Sequence, residues 1–372
     1  MCIGIFTLEK GVKMSVNFDL NVNFNKGLNI FIGDNAQGKT NILESIYVLA
    51  VTKSYLGVND KDLIKFDNSC SLIKSSVLLD NINTILEVKI NNNGKKVFIN
   101  GKEIKKFRDY ISKFNVIIFS PDNIRMIKDG PSARRRFLNV EISQIFNKYV
   151  SLMNDFNCIL KQRNEVLKGD NINTLYLDVI NDKFSSLAVD ITIQRKKFLE
   201  KINERIGNIF YDISGISGLE VRYISNVDIF DDVNIMRDNV LNRIKSLFDR
   251  EKKYGSTLIG PQRDDFYFFI GDKNISIYGS QGQMRMAILS LKLSEIEVFK
   301  EYTGNYPILL LDDIFSELDV IKRNNLIKYI SFNIQTIITT TDLNMIDDSL
   351  ISDATIYRIC DGKIVSEGED EI

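Results

Sequence analysis

The stretch Gly33-Asp34-Asn35-Ala36-Gln37-Gly38-Lys39-Thr40 fits the pattern G-x-x-x-x-G-K-[ST], and it leaves the chain few ways to fold. A loop that wraps a phosphate needs glycines where the backbone curls, and a helix whose N-terminus faces the anion. Both flanks comply. Residues 28–32 form a short buried-type run that reads as a strand, and Ile42, Leu43, Ile46, Leu49 and Ala50 recur on one helical face. Gly33 through Thr40 are therefore the expected nucleotide-binding residues. Lys39 would reach the β- and γ-phosphates of ATP, and the Thr40 hydroxyl would ligate Mg²⁺.

A second signal lies far downstream. The apolar run 308–311 ends in Asp312-Asp313, the pattern of a buried strand that delivers carboxylates to the tip of a parallel sheet, where ligands gather. Asp312 is expected to support Mg²⁺ through water, and Asp313 to polarise the attacking water. Many related ATPases carry glutamate at that second position. Aspartate is one methylene shorter, so turnover is expected to be slow.

Composition narrows the chemistry further. The chain of 372 residues contains no histidine, which removes Ser-His-Asp hydrolysis and His-ligated zinc. Its cysteines, Cys2, Cys70, Cys158 and Cys360, form no C-x-x-C pair and read as reduced structural thiols. A net charge of −1 makes any contact with a phosphate backbone a matter of local patches. No apolar run approaches the roughly 20 residues that span a bilayer. The first ten residues, interrupted by Glu9, lack the features of an export leader. No membrane association and a cytoplasmic location are the expectations.

Along the chain, Val16, Phe18, Leu20, Val22 and Phe24 alternate as a strand does. Between residues 70 and 104, Asn92-Asn93-Gly94 and Asn100-Gly101 supply hairpin turns, so a β-rich lobe should lie close to the phosphate loop. From 132 to 251 the texture is helical. One stretch, 171–211, carries Leu187, Ile191, Phe198, Ile202, Ile206 and Ile209 at helical steps; it reads equally well as one long helix or as two antiparallel ones. The expected division is 1–131 and 252–372 for the two parts of one α/β unit, with 132–251 a helical insertion between them.

Ser280-Gln281-Gly282-Gln283 opens a third apolar-periodic helix, with Ser280 as its N-cap. A helix start of this kind is an anion site, and one ATP does not need two of them from one subunit. The order of loop, serine-glycine segment and acidic strand resembles that of ABC-type ATPases. There the serine-glycine signature contacts the γ-phosphate held by the opposite subunit, which implies an ATP-bound homodimer. Ser316 and Asp319 then fall where such proteins carry the loop lining the dimer seam. Thr341 and Asp342 fall where transporter ATPases usually carry a switch histidine.

Six separated segments point to one family. They are the phosphate loop, Phe119-Ser120-Pro121-Asp122, Arg134-Arg135-Arg136-Phe137-Leu138, Leu160-Lys161-Gln162-Arg163-Asn164, Gly260-Pro261-Gln262-Arg263-Asp264-Asp265 and Gly279-Ser280-Gln281-Gly282-Gln283. In content and order the chain resembles the RecF family of bacterial DNA replication and repair proteins. The resemblance implies an α/β fold: an ABC-type P-loop ATPase head with a β-rich lobe and an inserted helical arm, related to the SMC proteins. It also implies ATP-dependent binding to DNA at single-strand gaps and duplex junctions, work with RecR and RecO, help in loading RecA, and a weak, DNA-stimulated, Mg²⁺-dependent ATPase. Arg134, Arg135 and Arg136 lie in a family motif and are the favoured DNA contacts; Lys105, Lys106 and Arg108, and Arg195, Lys196 and Lys197, are further basic clusters. The sequence departs from the family at Lys10-Gly11-Val12-Lys13, where Asn-Phe-Arg-Asn is usual, and at Tyr55 and Gln262, where histidine is frequent. A transporter motor subunit would call for Leu-Ser-Gly-Gly-Gln, a switch histidine and no long helical insertion. A protein that binds ATP without hydrolysing it is the other reading.

Overall fold

The structure is a computed structural model that describes residues 2–9, 20–65, 68–79, 82–330, 334–346 and 351–368. The departure at residues 10–13, and Val16 and Phe18 of the alternating stretch, lie outside them. Backbone contacts divide the chain into two units: 1–124, 208–216 and 285–372 in one, and 125–207 and 217–284 in the other.

The first unit holds two sheets. Strands β1 (Cys2–Glu9) and β2 (Leu20–Asn23), with β4 (Cys70–Leu79), β5 (Ile82–Asn91), β6 (Gly94–Ile99) and β7 (Lys102–Ile104), form an antiparallel sheet in the order β2-β1-β4-β5-β6-β7. Its turns follow the expected chemistry. Asn100 and Gly101 take φ of 49° and 77°, the left-handed pair that a two-residue hairpin needs.

The second sheet carries the phosphate loop. Its strands are β3 (Leu28–Ile32), β8 (Val116–Phe119), β12 (Ile308–Asp312), β13 (Thr336–Thr340), β14 (Thr355–Cys360) and β15 (Lys363–Gly368), in the order β15-β14-β3-β13-β12-β8. All pairings are parallel except that of β14 with β15. Ile308 to Leu311 are fully buried, as an uninterrupted apolar run in a parallel sheet must be. Helix α1 (Lys39–Val51) contacts β4 and β5 on one side and β8, β12 and β13 on the other. Being covered by both sheets explains why Ile42, Leu43, Ile46, Val48 and Leu49 are all fully buried rather than confined to one stripe.

The other unit is mainly helical: α2 (Arg125–Lys128), α3 (Pro131–Ile145), α4 (Asn147–Lys168), most of α5 (Thr174–Ser214), α6 (Val233–Tyr254) and α7 (Ile275–Tyr278). Where a helical stretch over 171–211 was expected, α5 is one continuous helix of 41 residues, about 60 Å long at 1.5 Å per residue, that starts three residues later and runs on to Ser214. The unit also has a small sheet, in which β10 (Asp265–Ile270) pairs antiparallel with β9 (Leu219–Ile224) and with β11 (Lys273–Asn274). This pairing draws residues 252–284 into the helical unit, whereas the sequence texture grouped them with 285–372. The divisions fall at 124/125, 207/208, 216/217 and 284/285. Two further helices are α8 (Gln281–Thr303) and α9 (Val320–Tyr329). No helix among the described residues is long and apolar enough to cross a membrane.

Candidate nucleotide-binding site

The loop from β3 to α1 is shaped by residues that tolerate close approach and left-handed backbone. Gly33 has no room for a side chain, since a Cβ there would stand 2.5 Å from Ile359 O. Ala36 and Gly38 take φ of 65° and 95°. Gln37 Oε1 accepts the Asp361 N–H at 2.5 Å, tying the loop to the β14–β15 turn. Helix α1 begins with no side-chain cap; the Asn41 N–H turns back to Gly38 O at 3.0 Å, and the N–H groups ahead of it face outward from the helix start, where an anion binds.

Lys39 is buried and donates to the carbonyls of Gly33 at 2.5 Å and Asp34 at 2.8 Å, folding its ammonium into the loop. Burial lowers its pKa, and the charges of Asp313, Asp312 and Asp34 oppose that shift.

One residue along, the Thr40 hydroxyl donates to Asp312 Oδ1 at 3.1 Å. The parallel register makes this meeting inevitable once β3, β13 and β12 lie side by side, because the loop and the acidic pair leave the same edge of the sheet. Asp312 also accepts the Thr339 hydroxyl on Oδ1 at 2.9 Å and the Tyr55 hydroxyl on Oδ2 at 2.9 Å. Burial raises its pKa, while the bonds from Thr339, Tyr55 and Thr40 pull the other way.

Asp313 adopts a left-handed backbone, φ 49° and ψ 31°, which aspartate tolerates better than most residues. Its N–H donates to Thr339 O at 3.2 Å and lies 3.0 Å from Thr339 Oγ1, and its own carbonyl accepts the Ser316 hydroxyl at 2.7 Å. Asp313 Oδ1 is buried and accepts no hydrogen bond among the described residues. An unsatisfied buried carboxylate oxygen is costly, and a water or phosphate-side donor would relieve it.

Other expected residues have different occupations. Asp319 is exposed and caps α9 by accepting the Lys322 N–H at 3.0 Å. Asp342 likewise caps the turn 343–345 through Asn344 N–H at 2.9 Å, and Thr341 is half-buried beside it. It is Thr339, two residues earlier, that reaches both candidate acids. Within the helical unit, Ser280 and Gln283 form a reciprocal cap: Gln283 N–H donates to Ser280 Oγ at 3.2 Å, and Ser280 N–H to Gln283 Oε1 at 2.9 Å. Ser280, Gln281 and Gly282 are exposed at this helix start.

The basic clusters are sorted by burial. Arg134, favoured from sequence as a DNA contact, is 4% exposed; its Nε and Nη2 donate to the two oxygens of Asp265 at 2.6 and 2.9 Å, and Nη1 donates to Met126 O and Asp129 O. It is a structural brace. Arg195, 1% exposed, is also tied down: its Nη1 donates to Asp264 Oδ2 at 3.1 Å and to Pro261 O at 2.6 Å. Arg135 donates to Asp264 O at 2.9 Å. Arg136, Lys105, Lys106, Arg108 and Lys197 are exposed, and Lys196 is half-buried beside Glu200. Gln262, at the other family departure, donates to Ile259 O at 2.7 Å. In sequence Tyr55 is distinguished only as a departure from a family pattern; its bond to Asp312 joins two residues 257 positions apart, beyond the reach of any local pattern.

Comparison with known proteins agrees with this architecture. The family model described as RecF/RecN/SMC N terminal domain matches residues 9–362. DNA replication and repair protein RecF of Ligilactobacillus salivarius is 38% identical over 356 residues, covering 94% of each chain. That of Halalkalibacterium halodurans is 38% identical over 364 residues, covering 96% of this chain and 98% of its own. Among solved structures, the recombination mediator protein RecF with ATP in the RecFOR pathway superposes with a TM-score of 0.89 at 32% identity, over 98% of this chain and 97% of that one. An SMC head bound to the winged-helix domain of ScpA shares the fold, with a TM-score of 0.53 at 16% identity.

Proposed function

The chain belongs to the RecF family, an ABC- and SMC-type ATPase group, and from that membership and the geometry of its loop we propose that it binds and hydrolyses ATP with Mg²⁺. The observation that carries the reading is the convergence of Lys39, Thr40 and Asp312, brought from opposite ends of the sequence. A hydroxyl and a carboxylate at 3.1 Å are hard oxygen donors suited to Mg²⁺, which binds through one or two protein groups together with phosphates and waters. When bound, the cation would neutralise charge on the phosphates. Lys39 would exchange its loop carbonyls for phosphate oxygens, and the unpaired Asp313 Oδ1 would accept a proton of the attacking water.

The further steps are drawn from the family. Two copies would close on the triphosphate, each presenting the exposed Ser280–Gln283 helix start to the nucleotide of its twin. The closed dimer would bind DNA at single-strand gaps and duplex junctions, slow hydrolysis would reset it, and RecO, RecR and RecA would be its partners in recombinational repair. The similar structure assigned to the RecFOR pathway supports this assignment. Exposed Lys105, Lys106, Arg108, Arg136 and Lys197 supply candidate phosphate contacts.

Phosphate release measured with and without gapped DNA tests the reading, using wild type, Lys39→Ala and Asp313→Asn. Both variants should lose DNA-stimulated release, and Asp313→Asn should keep nucleotide binding. Equal release by wild type and Lys39→Ala would overturn the proposal.

A further inference from the structure

After α1 the chain doubles back along the helix it has just left. Thr52 ends the helix in a left-handed conformation, φ 61°, with its N–H on Val48 O at 2.8 Å. The buried Ser54 hydroxyl then donates to the carboxylate of buried Glu44, and Ser54 Oγ accepts the Leu56 N–H at 3.0 Å. These bonds fix the residue between them. The Tyr55 ring stands edge-on to Tyr47, with centroids 5.6 Å apart at 76°, and its hydroxyl meets Asp312 Oδ2 at 2.9 Å.

Asp312 is thus gripped at both oxygens. Thr40 and Thr339 share Oδ1, and Tyr55 takes Oδ2. The terminal torsion of an aspartate is broad, so a carboxylate held at one oxygen keeps rotational freedom, while one held at both does not. The phenol O–H is the donor of this bond, and the carboxylate can only accept it.

We infer that Tyr55 is a positioning residue for the cation site: by occupying Oδ2 it turns the Oδ1 edge of Asp312 toward Thr40 and fixes the carboxylate for the water shell of a divalent cation. This rests on the reading that Thr40 and Asp312 hold that cation. Groups that orient a metal's ligands in this way typically change affinity by about 10–100-fold when removed. Tyr55→Phe keeps the ring on Tyr47 and deletes only the bond to Asp312.

The test uses the full chain and Mn²⁺ as the probe, with free Mn²⁺ counted by electron paramagnetic resonance in the presence of an ATP analogue bearing a γ-thiophosphate. Nucleotide binding in EDTA is measured alongside. Tyr55→Phe should weaken Mn²⁺ binding about tenfold or more while leaving binding in EDTA unchanged. Wild-type Mn²⁺ affinity in Tyr55→Phe, with affinity lost in Asp312→Asn, would overturn the inference and spare the cation site. Equal weakening of Mn²⁺ and EDTA binding in Tyr55→Phe would mark a packing role and overturn it as well. Unchanged Mn²⁺ affinity in Asp312→Asn would instead overturn the cation-site reading itself.

Discussion

The hydroxyl of Thr339 donates to Asp312 Oδ1 at 2.9 Å from a fully buried position on the neighbouring strand. The Thr339 hydroxyl oxygen in turn accepts the Asp313 N–H at 3.0 Å, so one side chain holds the carboxylate proposed for the cation and the backbone of the residue proposed for the water. Thr339→Val keeps the volume and removes that control. Stability should fall by about 1–3 kcal/mol, the cost of leaving buried polar groups unmet, by urea denaturation. Single-turnover hydrolysis should slow more than nucleotide binding weakens. A variant that hydrolyses ATP at the wild-type rate would show that the hydroxyl has no part in aiming the acids.

Arg134 and Arg136 are two positions apart and should behave oppositely. Arg134→Ala leaves Asp265 buried without its partner and should cost about 3–5 kcal/mol in urea denaturation. Burial alone would raise the pKa of Asp265, but hydrogen bonds from Arg134, Tyr267 and the Phe266 N–H, together with the Arg134 charge, bring it below the ordinary range. Arg136→Ala, on the exposed side, should leave the denaturation midpoint in place. If Arg136 touches DNA phosphate, the slope of log affinity against log salt should become shallower by about 0.9 for duplex.

Glu44 gives the fold a pH signature. Burial raises its pKa, the Ser54 hydroxyl opposes the shift and Asp312 adds to it. Between the ordinary glutamate value of about 4.3 and the raised one, the folded chain holds a proton that the unfolded chain has lost. Stability contributed by this group is therefore fully present below that window and declines as pH climbs through it. Glu44→Gln should flatten the decline of the urea midpoint above pH about 4.3. Asp312, raised chiefly by burial, keeps a residual slope of the same sign. A slope as steep as wild type would exclude Glu44 as its source.

Ser280→Arg should separate nucleotide binding from association. The mutation removes the reciprocal cap with Gln283, a loss of about 1 kcal/mol, and places bulk and charge at an exposed helix start. Fluorescent-nucleotide affinity should stay near wild type while light scattering shows monomers with ATP. Nucleotide-dependent dimers in this variant would contradict the shared site.

Much of the site was legible because its signals are local. The loop glycines, the apolar strand before Asp312 and the serine cap each follow from the conformation a few neighbouring residues must adopt. What the sequence could not convey is which partner a charge has. Arg134 and Asp265 stand 131 positions apart, and a triplet of arginines looks the same whether one of them turns inward or all face water. Tyr55 and Asp312 are further apart still. The grouping of residues 252–284 with the helical unit is hidden for a related reason: β9 is a short strand among long helices, and its pairing with β10 is a long-range contact. Whether α5 is one helix or two was equally open, since helical periodicity does not mark where a chain continues straight.

The strand order has a consequence for how the protein is made. β3 pairs only with β13 and β14, so the strand that carries the phosphate loop leaves the ribosome with no sheet neighbour. Leu28 and its register partner Thr336 are separated by 308 positions, which at about 5–20 residues per second is a wait of roughly 15–60 s. Throughout that interval an apolar edge is unprotected, and nascent chains slowed before residue 336 are the population in which chaperone capture or aggregation should concentrate.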